Sequence, residues 1–176
     1  MVRSILLFMA GWLLIAPAHA QTVNDDGRAS VEVLQPSTVS KQSDLDFGSL
    51  IVTGAGTVTV NAGTNAITTT GGVTRLGTDG TRADFLGERS GISFIYLEVD
   101  STVTLTEMTG SGGADMTADL TLAATNVIWG FQRSPGYVLL VVGPEQHYYV
   151  GGTLTIPDGQ LPGIYEGTFS ITVDNP

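Results

Sequence analysis

YYVGGTLTIPDGQLPGIYEGTFSITVD, residues 148–174, decides the fold class. In its first run Tyr148, Val150, Gly152, Leu154 and Ile156 share one face, and Tyr149, Gly151, Thr153 and Thr155 share the other. After the turn PDGQLPG (157–163), Tyr165, Gly167, Phe169, Ile171 and Val173 face inward. Glu166, Thr168, Ser170, Thr172 and Asp174 face outward. A period of two belongs to a strand, because successive side chains of extended backbone point to opposite faces. A slip of one residue would expose the whole apolar set, so the register is strongly specified. The two runs are expected to form a closing strand pair. Each carries a glycine on its apolar face, Gly152 and Gly167, and a strand glycine leaves a notch. Either an aromatic of the same chain fills that notch (Tyr148, Tyr165 or Phe169), or a side chain from an added strand docks there.

Outward from this stretch the pattern repeats. Ala29, Val31 and Val33 alternate with Ser30 and Glu32, which predicts a first strand ending near Pro36. Leu45 and Phe47 open a second element. The runs 50–53 and 57–61 follow, separated by Gly54-Ala55-Gly56. NAGTN at 61–65 predicts a hairpin turn leading into Ile67–Thr70. Short strands are expected at 73–76 and 82–86. ISFIYLEV (92–99) is apolar on both faces as far as Glu98, the mark of a central strand or one that lies against a partner. Val103 and Leu105 alternate with threonines, as do Met116, Ala118, Leu120 and Leu122 with polar residues. GSGG (110–113) reads as a flexible loop, AATNVIWGFQRSPG (123–136) as the least regular part, and YVLLVV (137–142) as a continuous apolar strand. Short strands rich in Thr and Val, with turn residues at close intervals, predict an antiparallel sandwich or barrel.

The first twenty residues read differently. Arg3 is a positive n-region, ILLFMAGWLLIA (5–16) a short apolar core, and Ala18-His19-Ala20 an A-x-A cleavage site. Cleavage is expected between Ala20 and Gln21. The apolar run is shorter than the roughly 20 residues that span a bilayer, so no stable membrane anchor is expected afterwards. Residues 21–28 are polar and read as a flexible lead-in to a single domain over 29–176. Loss of the signal removes one of seven basic residues, leaving six against seventeen acidic ones, a net charge of −11. That charge disfavours nucleic acid and anionic lipid as partners. The chain has no cysteine, so disulfides, thiol chemistry and cysteine metal sites are excluded.

Two segments carry a family resemblance. DLDFGSLIVTGAGTVTVNAGTNAITTTGGVTRLG (44–77) and VGGTLTIPDGQLPGIYEGTFSITV (150–173) resemble the bacterial exported family called domain of unknown function 4402. The resemblance implies an immunoglobulin-like β-sandwich, related to fimbrial and spore-coat-type subunits. Those subunits share a P-G-x-Y/F-x-G/A-x-F pattern, matched here by Pro162, Gly163, Tyr165, Gly167 and Phe169. The chain departs from the fimbrial pattern in three ways. It ends Val173-Asp174-Asn175-Pro176 rather than with a penultimate tyrosine, it lacks a disulfide, and only Gln21 to Arg28 precede the first strand.

No constellation for catalysis stands out. His147 is the single histidine of the mature chain and reads as a solvated residue at a strand edge; a Ser–His–Asp triad would depend on it. Asp84, Glu88, Glu98 and Glu107 read as solvated surface charge rather than a glycosidase pair. The acidic pairs Asp25-Asp26 and Asp44/Asp46 lack the fuller spacing of a calcium loop, and turn-capping accounts for Asp44 and Asp46 equally well. No catalytic residue, metal site or cofactor is therefore assigned. Trp129 and Phe131 either plug one end of the sandwich or form a contact site. The expected function is that of an exported structural subunit, pilin-like, with other copies of itself or related subunits as partners. Its strand-exchange groove would involve Val31, Val33, Gly152, Tyr165, Gly167, Phe169, Ile171 and Val173. The alternative is a monomeric adhesive module that binds through the 123–136 loop.

Overall fold

A computed structural model describes residues 38–88 and 91–174. The readings that fall on residues 1–37, including the signal peptide, the Ala20/Gln21 cleavage and the first strand with Val31 and Val33, lie outside the described residues. Among the described residues there are twelve strands. They are β1 (Thr38–Ser43), β2 (Leu50–Val60), β3 (Ile67–Arg75), β4 (Ala83–Glu88), β5 (Ile92–Val99), β6 (Thr102–Glu107), β7 (Met116–Ala124), β8 (Val127–Arg133), β9 (Gly136–Val142), β10 (Glu145–Ile156), β11 (Tyr165–Glu166) and β12 (Ile171–Asp174). All pair antiparallel, in two sheets. The larger runs β1-β4-β10-β7-β6-β11, with β2 also paired to β10 and β3 to β2; the smaller runs β12-β5-β9-β8.

Strand β10 organises the larger sheet. One edge pairs with β7 from Tyr148 to Thr155. Its other edge pairs with β4 from Glu145 to Val150 and then with β2 from Gly152 to Ile156. The change of partner falls at Gly151. A Cβ there would collide with the carbonyl oxygen of Val60 and stand 2.6 Å from the Ala62 nitrogen, where β2 ends over it. Glycine lets two strand ends converge on one backbone. The hairpin from β2 to β3 turns at residues 61–66 as the sequence predicts. The Asn61 side chain accepts from the Thr64 amide at 2.9 Å, and Asn65 adopts φ +60°.

The core falls into two clusters, of which the first is built from the larger sheet and the segments beside it and only the second joins the two sheets. One gathers Val58, Val60, Val103, Met116, Leu154 and Ile156 with Phe47. The other joins Ile95, Leu97 and Val141 of the smaller sheet to Tyr148 of the larger. The alternation expected in β10 holds: Tyr148, Val150, Leu154 and Ile156 are at most 3% exposed.

Four expectations need correction. The runs 50–53 and 57–61 form one strand that passes the Gly54–Gly56 stretch with a register shift opposite β3, and 67–70 and 73–76 likewise merge into β3. A bulge absorbs extra residues without ending pairing. The run 148–156 does not pair with 165–173. Instead β11 pairs with β6, and the chain then crosses to the smaller sheet, where β12 pairs with β5. The inward set survives this crossing but divides: Tyr165 and Phe169 pack on the first cluster, Ile171 and Val173 on the second. The irregular segment contains a regular strand, β8, in a hairpin with β9. Finally, β1 (TVSKQS) has no apolar alternation to announce it, and its pairing with β4 creates it.

Candidate functional site

Two surfaces stand out. The first is a groove of about 970 Å³ over the Ile156 end of β10. Its floor is made of Val103, Leu105, Met116, Leu154 and Ile156, all members of the first core cluster. One wall is the segment 44–49. Asp46 and Thr81 exchange backbone hydrogen bonds at 2.8 Å, and the Asp46 side chain accepts from the Gly48 amide at 2.8 Å. This anchor drives Phe47 inward. Asp44 pairs with Lys41 at 2.6 Å on the surface. Asp46 thus caps a turn, while Asp44 has an ion-pair partner instead.

The opposite wall is the loop 160–164 and β11. The Tyr165 hydroxyl donates to the Leu161 carbonyl and accepts from Gln160 Nε2, both at 2.7 Å. Gln160 Nε2 also donates to the Ala114 carbonyl, which ties this loop to the GSGG loop. Gln160 Oε1 stays buried and has no partner among the described residues. Beside the wall, the Met108 amide donates to the Ile164 carbonyl at 2.8 Å. The Thr109 hydroxyl donates to Glu107 and holds that carboxyl below its ordinary range.

Of the residues expected to form a groove, Tyr165, Gly167 and Phe169 line this one. Ile171 and Val173 do not; on β12 they cover the second core cluster. Gly152 lies inside the larger sheet, where a Cβ would stand 2.7 Å from the Asp119 carbonyl oxygen. A Cβ on Gly167 would collide with the Thr104 carbonyl oxygen and stand 2.9 Å from Val103 Cγ2. Both notches are filled by neighbouring strands of the same chain, not by an aromatic side chain and not by a vacancy for a guest.

The second surface is the outer face of the smaller sheet. Cross-strand partners share a face. Phe94 stands opposite Leu140, which stands opposite Trp129; Tyr96 stands opposite Val138, which stands opposite Phe131. Trp129 is 54% and Phe131 45% exposed, with ring centroids 5.2 Å apart. They do not plug the sandwich. Tyr96 donates to Glu98 at 2.9 Å; desolvation first, and then this carboxylate, push the phenol above its ordinary pKa.

Sequence reasoning missed one cluster. His147 Nδ1 lies 2.8 Å from Asp84 Oδ1, through the β4–β10 pairing, and the imidazole stacks on Tyr149. Arg82 sits 3.4 Å over the same Tyr149 ring and donates to the carbonyls of Ala62 and Gly63. Asp84 is thus not simply a solvated charge. A histidine base needs a nucleophile within reach. Among the described residues no hydroxyl is hydrogen-bonded to the second ring nitrogen, and the cluster braces the β2–β3 turn. The alternation of 145–156 puts His147 and Tyr149 on one face; only the distant pairing brings Asp84 and Arg82 there.

A family model described as domain of unknown function (DUF4402) matches residues 37–175. The chain belongs to this family. The match runs through all twelve strands, so the groove and the aromatic face are both parts of the DUF4402 domain. No curated protein and no solved structure matches the chain.

Proposed function

We propose that this DUF4402 protein is an exported, pilin-like structural subunit with an immunoglobulin-like sandwich fold, and that it joins its neighbours by strand exchange. The observation that carries this reading is the groove. Its floor consists of core side chains, yet it holds about 970 Å³ of open volume. A groove laid over apolar core side chains offers a seat to an apolar strand. The buried, unpartnered Gln160 Oε1 in its wall supports the same reading, since an entering backbone N–H would satisfy it. The occupant is an extended segment of a neighbouring copy or a related subunit. Ala29, Val31 and Val33, read from the sequence as a strand beside the groove, have the alternation that lets the same segment of a neighbouring copy act as the occupant.

The test is a denaturing gel of the purified protein beginning at Gln21, run without heating. Strand exchange predicts a ladder that grows with protein concentration and collapses on boiling. A synthetic peptide spanning residues 21–37 should shorten the ladder by competing for the groove. A protein that runs only as a monomer at every concentration, in the gel and in solution, would sink the proposal.

A further inference from the structure

A separate surface, away from the groove, carries its own inference. Strand β8 is the edge of the smaller sheet, and all seven of its residues are exposed. Natural edge strands are protected by internal charges, prolines or shortness. VIWGFQR has no proline, and its only charge is the terminal Arg133. The adjoining outer face adds exposed Ile92, Phe94 and Val142 to Trp129 and Phe131. With about half of each side chain exposed, at roughly 100 Å² apiece, these five present on the order of 500 Å². That lies in the upper part of the range for the largest apolar patch of a monomer.

Charge selects the partner. The chain carries 17 acidic residues, so two copies repel over most of their surface. Residues 120–144, which include β8 and β9, contain no acidic residue at all. This is the region where a copy can approach a copy. The sequence of β8 is also self-complementary about its central Gly130. In an antiparallel pair centred there, Trp129 of one copy faces Phe131 of the other, twice, and Ile128 faces Gln132.

We propose that β8 pairs with β8 of a second copy about a two-fold axis at Gly130. The pairing joins two four-stranded sheets into one continuous sheet and sets Trp129 and Phe131 of the two copies side by side across the axis. It is isologous and closes on itself, so it adds a dimer contact rather than a filament contact. It does not rest on the groove.

Sedimentation equilibrium of the chain beginning at Gln21 tests it, with Trp129→Lys, Phe131→Glu and their equimolar mixture. The wild-type protein should dimerise reversibly. Each variant alone should associate at least about tenfold more weakly, because a charge then faces an aromatic ring in both cross-strand pairs. Far-UV circular dichroism should stay unchanged. The mixture should recover dimer, since the lysine of one chain then faces the glutamate of the other while the second Trp–Phe pair stays intact. If a variant does not fold, hydrogen exchange of the wild-type protein decides the matter: amides of β8 must exchange more slowly as concentration rises. A monomeric wild-type protein would overturn the proposal, including one that instead binds glycan or phosphatidylcholine vesicles through this face. So would a dimer indifferent to both substitutions, or a mixture that regains nothing. The heat-sensitive ladder attributed to the groove should persist in Trp129→Lys, so the two readings fail separately.

Discussion

Strands β10 and β8 are built from similar material and meet opposite fates. Both mix β-branched and aromatic residues around glycine, YYVGGTLTI in one and VIWGFQR in the other. In β10 the apolar face is sealed, with Tyr148 and Val150 almost wholly inaccessible. In β8 every residue is exposed, and Ile128, Trp129 and Phe131 are 45–57% exposed. The difference is one of place. β10 has strands on both edges and packs its inner face into both core clusters, while β8 has one neighbour, β9. Strand propensity makes a segment extended, and only packing against other elements buries it.

The comparison can be broken hardest at Gly151. Any Cβ there meets backbone of β2 that cannot move without unpairing. Gly151→Val should cost at least about 3 kcal/mol, above the usual penalty of overpacking, because the obstruction is main chain. Urea unfolding monitored by fluorescence measures it; a midpoint close to that of the wild type would mean that β10 does not change partner there. Next comes Leu154→Ala, which empties a site 3% exposed in the groove floor. It should cost about 2–4 kcal/mol in the same assay. A loss below about 1 kcal/mol would show that the groove end of the core is already slack. The smallest effect belongs to β8. Trp129→Ala, measured at a concentration low enough to keep the protein monomeric, should change stability by no more than about 0.5 kcal/mol. A loss of several kcal/mol would place Trp129 in the core and erase the contrast.

Parts of this architecture were legible in the residues. The alternation of 148–156 marked the inner face of β10 side chain by side chain, and Asn61 and Asn65 marked a turn. Family membership was legible in 44–77 and 150–173. Other parts had no local signal. β1 contains a lysine, a glutamine and two serines among its six residues, and it is a strand because β4 offers a free edge. β8 looked irregular because its bulge near Val127 and Trp129 breaks the period of two. Trp129 and Phe131 were read as either an end plug or a contact site, and only the pairing with Leu140 and Val138 aligns them with Phe94 and Tyr96. Of the expected groove residues, Tyr165, Gly167 and Phe169 line the groove, whereas Ile171 and Val173 serve the other cluster because the chain changes sheet between them.

What the sequence by itself determined is the parity of each strand: which side chains point together, and which of those sets is apolar. Parity is local, since extended backbone alternates whatever surrounds it. What only the tertiary structure decided is adjacency. It placed β10 between β4, β2 and β7 rather than beside its neighbour in sequence, and it brought Asp84 to His147. It set a groove over the Ile156 end of the core, and it left β8 at an edge with its aromatics facing solvent. Adjacency is set by how distant strands share one core, and no single window of sequence carries that information.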